Sequence, residues 1–252
     1  MRLRPGPRAL WFVRHGQSEG NVLRDAAEAD ELDRVELPTR DADVPLSELG
    51  TQQAQAFGRW LAGSPASERP TVVLASPYLR ALQTAAHLGA AAAEQGVLLP
   101  EIEVDERLRD REMGVWDTLT WRGILATDPQ EAERARRTGR YYHRPPGGES
   151  WADLVLRLRS LLAELVAGRA AERVLLVSHD VPIQLCRSLL EGTGEADVVR
   201  LITGTRYVNC GLSSFEAEDD RYRMTAYNEV VPGDPRHPEE LQWPQSPAPR
   251  PS

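Results

Sequence analysis

Arg14-His15-Gly16, Ser76-Pro77-Tyr78-Leu79-Arg80 and Ser178-His179 each stand directly after a short apolar run. Such runs read as buried strands, so three strand ends deliver two arginines and two histidines to one edge of one sheet. A lone histidine near a strand end is usually structural, and a lone arginine usually belongs to a solvated face. Four such residues together point to a common anionic target. A phosphate monoester fits it, being a dianion with several acceptor oxygens. Arginine offers those oxygens a rigid fork of donors. Two arginines and a protonated histidine neutralise the charge that spreads over the equatorial oxygens during transfer. Histidine is also a competent nucleophile: its unperturbed pKa of about 6.5 leaves most of it neutral near pH 7. Neighbouring arginines lower that value and keep a lone pair available. Gly16 reads as a place where backbone passes close to phosphate. Gln17, Ser18 and Asn21 read as polar groups at the rim of the hollow.

The elements that must hold these residues follow from the pattern of apolar positions. Strands are expected over 9–13, 71–75, 97–104 and 174–177, and a terminal strand pair over 207–216 and 222–227. Helices are expected over 48–61, capped by Ser47, and over 78–94, 129–138, 149–167 and 182–190. The clearest is 149–167, where Trp151, Leu154, Val155, Leu158, Leu161, Leu162 and Leu165 form one stripe. Strands alternating with helices predict an α/β fold, a three-layer sandwich with a mainly parallel sheet and helices on both faces. Ligands of such sheets bind beyond the carboxyl ends of the strands. One domain is expected over 1–230, with lid- or cap-like excursions at 24–43 and 112–148 and a proline-rich tail over 231–252.

Bulk composition narrows the chemistry. The 252 residues carry a net charge of −8, which disfavours general nucleic-acid binding. All 30 basic residues are arginine, which removes Schiff-base and P-loop lysine mechanisms. Cys186 and Cys210 form neither a metal-ligand spacing nor a disulfide framework and read as buried free thiols. The apolar run at 9–13 is too short for a signal-peptide core or a membrane span. A cytoplasmic protein that binds no membrane is expected; a homodimer stays open.

Five blocks, in order over 10–215, resemble the histidine phosphatase superfamily, the phosphoglycerate-mutase-like group: RHGQSEGN (14–21), PLSELG (45–50), SPYLRALQTA (76–85), PPGGES (145–150) and LLVSHD (175–180). The resemblance implies that His15 is the nucleophile and forms a phosphohistidine. It implies that Arg14, Arg80 and His179 hold the phosphoryl group, that a carboxylic acid protonates the leaving oxygen, and that water then releases phosphate. It implies no metal and no cofactor, only a small phosphorylated substrate. The implied activity is phosphomonoester hydrolysis. A cofactor-dependent phosphoglycerate mutase or a sugar bisphosphatase is the alternative, and a low-activity phosphate-binding regulatory protein is the alternative of another class. The short segment between Asp110 and Glu149 and the lack of lysine favour the phosphatase over the mutase.

Three departures from the family pattern carry expectations of their own. The donor motif L-x-E-x-x-x-G reads Leu108-Arg109-Asp110-Arg111-Glu112-Met113-Gly114. Asp110 holds the donor position, Glu112 shares its face if the segment is extended, and a site in which neither donates is the third outcome. Asp180 follows His179 where a glycine is usual; it either orients the imidazole and favours its cation or simply supplies a helix N-terminal charge. The stretch with Arg134, Arg136, Arg137, Arg140 and Arg144 falls where the family builds its substrate cap. There Arg140 could read a second anionic group, or the arginines could pair with Glu131 and Glu133 on a solvated helix face.

Overall fold

A computed structural model describes residues 6–219 and 221–236. Six strands, β1 (Ala9–Arg14), β2 (Val72–Ala75), β3 (Ile102–Val104), β4 (Arg173–Ser178), β5 (Leu212–Glu218) and β6 (Arg221–Glu229), form one sheet in the order β3-β2-β4-β1-β5-β6. The first four strands are parallel; β5 and β6 close one edge as an antiparallel hairpin. The period of two along a strand sorts the side chains between faces. Leu10, Phe12, Val72, Leu74, Val174 and Leu176 face α6 (Trp151–Gly168) and α7 (Asp180–Glu191) in one core. Val13, Val73, Ala75, Leu175 and Val177 face α2 (Glu48–Gly63) and α3 (Leu79–Glu94) in the other. This is the expected three-layer sandwich.

Register brings the strand ends level. Arg14 lies opposite Ser178, and Val177 lies opposite both Val13 and Ala75. Backbone bonds extend the alignment past the strands: His15 N donates to Ser178 O at 2.9 Å, and Ser76 N donates to Val177 O at 2.9 Å. Residues 14–15, 76 and 178–179 are therefore neighbours by sheet geometry alone.

Some elements differ from expectation. The strand at 97–104 shortens to β3, exposed along its whole length at the sheet edge. Gly96 at φ +77° and the Val97 N to Ala92 O bond fold residues 96–97 back on α3, and Pro100 has no N–H to give a ladder. The terminal pair starts at Leu212, not 207. Cys210 sits at φ +52°, and its N–H reaches back to Arg14 O at 3.0 Å, so 207–211 wrap around the end of β1 instead of pairing as a strand. Three helices were not expected: α1 (Glu19–Ala29), α4 (Trp121–Thr127) and α8 (Glu195–Gly204). α1 buries only Ala27 and shows no apolar stripe, whereas α8 buries Val198 and packs Val199 and Ile202 against the core. α5 (Pro129–Thr138) lies where the charged helix was expected.

The two excursions join each other. Val35 N bonds Thr118 O at 2.8 Å, Thr120 N bonds Asp33 O at 3.1 Å, and Thr120 Oγ1 bonds Leu32 O at 2.7 Å. The start of the expected tail is docked: Val231 is buried, and Arg236 donates to Asn209 O at 2.8 Å while pairing with Asp234. The rest of that proline-rich segment, 237–252, lies outside the described residues, as do 1–5. Among the described residues no helix is long and apolar enough to cross a membrane.

The turn after β1 packs directly on the start of α2. A Cβ on Gly50 would overlap the Gln17 carbonyl oxygen. Gly50→Ala is therefore expected to cost about 1–3 kcal/mol by overpacking. Gly89→Ala, inside α3 with open space around it, should instead stabilise by roughly 0.5–1 kcal/mol. Urea unfolding of both variants checks the pair, and a neutral Gly50→Ala contradicts the packing.

Candidate active site

His15 follows β1 and is 2% exposed. Its Nδ1 lies 2.7 Å from the Gly16 carbonyl oxygen, which can only accept. That bond puts the ring proton on Nδ1 and leaves the lone pair of the neutral imidazole on Nε2. His179, fully buried at the N-terminus of α7, lies with its ring 5.2 Å from that of His15. Its Nε2 is 2.8 Å from Ser76 Oγ, which accepts from Tyr78 N at 3.3 Å and so is free to donate to the ring. The Tyr78 ring packs edge-on against His179 at 5.1 Å and beneath the Arg80 guanidinium at 4.9 Å. His179 Nδ1 and Arg14 Nε are buried with no hydrogen-bond partner among the described residues. Buried polar atoms of this kind call for a partner, and an anion serves both. Arg14 is further tied through its NH1 to the Tyr207 carbonyl oxygen.

Arg80, on the first turn of α3 and 4% exposed, bonds Asp41 and lies 3.4 Å from Asp110 Oδ2. The same Asp110 oxygen is 3.5 Å from His179 Nδ1. Asp110 is thus brought to the group. Glu112 is exposed, and its carboxylate accepts from Gly114 N at 3.3 Å. The Asp110 loop is fastened from α6. Arg157 donates to the carbonyls of Arg107 (2.5 Å) and Asp110 (3.1 Å) and pairs with Glu149, which also accepts from Glu112 N.

Most of the expected rim residues do structural work. Ser18 and Asn21 form a capping box on α1. Gln17 N donates to Gln53 Oε1, and Gln17 Oε1 accepts from Ser47 Oγ. Gly16 N donates to Thr84 Oγ1, and a Cβ at Gly16 would meet the Gly50 carbonyl oxygen of α2, so a protein helix sets the need for glycine there. Arg140 is exposed after α5 and makes no hydrogen bond or ion pair among the described residues. Its neighbours Arg134, Arg136 and Arg137 pair with Glu131 and Glu133, the solvated-face alternative. Among the described residues no three His, Cys, Asp or Glu side chains converge as a metal-binding group.

The family model described as histidine phosphatase superfamily (branch 1) matches residues 10–230. The chain belongs to this superfamily. The glucosyl-3-phosphoglycerate phosphatase of Mycolicibacterium vanbaalenii is 30% identical over 239 residues, 88% of this chain and 94% of the relative. The 6-phosphofructo-2-kinase/fructose-2,6-bisphosphatase of Caenorhabditis elegans is 30% identical over 181 residues, 71% of this chain but 33% of its own. The chain therefore spans only a part of some relatives it matches. A solved mycobacterial glucosyl-3-phosphoglycerate phosphatase, in complex with inorganic phosphate, superposes with TM-score 0.64 at 28% identity, covering 88% of this chain and 98% of that one.

Two residues of this superfamily member escaped the sequence reading. Ser76 stands within 76–85, but nothing in the sequence marks it as the partner of His179. Asn209 donates to His15 O and to Asn21 Oδ1, both at 3.1 Å. No spacing in the chain signals that Asn209 reaches the site.

Burial, then Arg80 and Arg14, hold His179 well below the ordinary imidazole value. Burial, Arg80, His179 and Arg14 do the same to His15. Both rings thus favour the neutral form in the free site. Asp180 does not orient it: its carboxylate accepts from Gln184, interacts with Arg14, and is itself pushed up by burial. The unfolded chain binds protons on these histidines below pH about 6.5, where the folded one does not. Stability from this source is complete above pH 6.5 and falls as pH drops below it, by up to about 1.4 kcal/mol per pH unit per ring. Asp180, with its raised value, opposes with the slope of one group above its ordinary range. Urea unfolding at pH 7.5 and 5.5 should show the lower stability at 5.5; a flat or reversed profile contradicts the neutral pair.

Proposed function

We propose that the chain is a phosphomonoester hydrolase that passes a phosphoryl group through His15 Nε2 and acts on a small phosphorylated metabolite. One observation carries this reading: a buried imidazole with its Nδ1–H committed to the Gly16 carbonyl stands among His179, Arg14 and Arg80. The Nε2 lone pair attacks phosphorus and the P–O ester bond breaks. Asp110, in its acid form, gives its proton to the leaving oxygen. Water then attacks the phosphorus of the phosphohistidine, Asp110 takes back a proton, and the N–P bond breaks to restore the lone pair. Arg14, Arg80 and His179 hold the equatorial oxygens, where charge grows during each transfer. A reducing, cytoplasmic setting belongs to the same proposal and is supported by Cys186 and Cys210, both buried and free.

The test is a panel of phosphomonoesters with phosphate release as the readout and chelator present. It includes aryl phosphate, phosphoglycerates, glucosyl-3-phosphoglycerate and fructose 2,6-bisphosphate. Acid-labile, alkali-stable phosphoenzyme should accumulate on rapid quenching, and vanadate should compete with substrate. Interconversion of phosphoglycerates far faster than hydrolysis of any ester points to a mutase. Phosphate binding with no turnover of any ester points to a regulatory protein.

A further inference from the structure

We infer that Asp41 competes with the substrate for Arg80, so that phosphoryl binding is an exchange of one anion for another. The inference rests on the reading of Arg80 as a phosphoryl ligand. The two terminal nitrogens of a guanidinium carry four N–H groups, and the fifth belongs to Nε. In Arg80, NH1 meets the Asp41 carbonyl oxygen at 2.6 Å and Asp41 Oδ1 at 3.3 Å. NH2 meets Asp41 Oδ2 at 3.0 Å and Asp110 Oδ2 at 3.4 Å. Every terminal N–H therefore has an acceptor, and three of the four acceptors belong to Asp41. Its two carboxylate oxygens face the two nitrogens side by side, the geometry in which arginine takes phosphate. A phosphoryl oxygen can reach a terminal N–H only by displacing one of these contacts.

The Asp41 carboxylate is the one able to leave. Its side chain is 39% exposed against 5% for Arg80, so it can turn into water while the backbone carbonyl stays bonded. It belongs to a single 3₁₀ turn, Asp41–Asp43, none of whose own residues is buried, although Val44 directly after it is. The exchange sets a charge threshold. A dianionic phosphoryl group gains more from Arg80 than a carboxylate does, whereas a monoanion gains nothing over Asp41.

The experiment measures orthophosphate as a competitive inhibitor of aryl phosphate hydrolysis, and by calorimetry, in wild type, Asp41→Asn and Asp41→Ala. Both variants should bind orthophosphate roughly tenfold more tightly, a gain of about 1.4 kcal/mol. KM should fall without a rise in kcat. Weaker or unchanged orthophosphate binding in a folded variant overturns the inference and makes Asp41 a prop for Arg80 or a bystander. Arg80→Ala tests the premise separately: orthophosphate binding unaffected by that change removes Arg80 as a ligand, whatever Asp41 does. Thermal melts of each variant separate lost binding from lost fold.

Discussion

Alanine in place of His15 is expected to lower kcat for phosphomonoester hydrolysis by about 10⁴- to 10⁶-fold, the scale on which removing a nucleophile acts. The proposed chemistry has no substitute for that ring. His179 is the nearest imidazole, but its Nε2 is engaged by Ser76 and its Nδ1 faces Asp110. The anion ligands survive the change, so orthophosphate should still bind, and phosphoenzyme should no longer form on quenching. Stability should not suffer as it would for a lost core residue. His15 is a buried imidazole among Arg80, His179 and Arg14, all of which disfavour its charging. Its removal should flatten the loss of stability between pH 6.5 and 5.5. The catalytic effects are non-additive: once His15 is gone, further removal of Asp110 should cost little. Activity within tenfold of wild type in His15→Ala removes the covalent mechanism.

The four converging residues were legible because sheet geometry does the converging. A parallel sheet lines up the carboxyl ends of its strands, so a chemical residue just past each apolar run lands beside the others. Arg14, His15 and His179 needed only the strand positions and their register, and Arg80 stands on the first turn of the helix that follows β2. What lay outside regular structure was not legible. Gln17, Ser18 and Asn21 have the polar side chains of a binding rim, but the same groups cap helices and satisfy loop amides, and local sequence does not say which. Asn209 and Asp41 reach the site through folded-back loops whose path depends on tertiary contacts. α1 buries only Ala27 and has no apolar stripe, and the charged, acidic composition that follows it reads as a loop. For Asp180 the helix N-terminal alternative holds: it is the acidic residue in the first turn of α7, which directs its carboxylate to Gln184 and not to the neighbouring His179.

The donor assignment gives the second large effect, and it separates two roles that the geometry joins. Asp110 lies within reach of both Arg80 and His179, so it could act as an acid or merely brace the phosphate ligands. An alkyl leaving group is a strong base and needs a proton as the ester bond breaks; an aryl leaving group needs little. Asp110→Asn keeps the shape and removes the acidic proton. Loss of general acid catalysis should lower kcat on alkyl phosphates by about 10²- to 10⁴-fold, and kcat on an aryl phosphate by less than about tenfold. Glu112→Gln should change neither by more than about threefold, since its carboxylate is exposed and turned to the Gly114 amide. Asp110→Glu should retain part of the alkyl activity, because the acid remains and only its reach changes. A brace would behave otherwise: its removal would weaken orthophosphate binding and slow both ester classes alike. Equal losses on aryl and alkyl esters in Asp110→Asn, or an alkyl-selective loss in Glu112→Gln, move the proton donor away from Asp110.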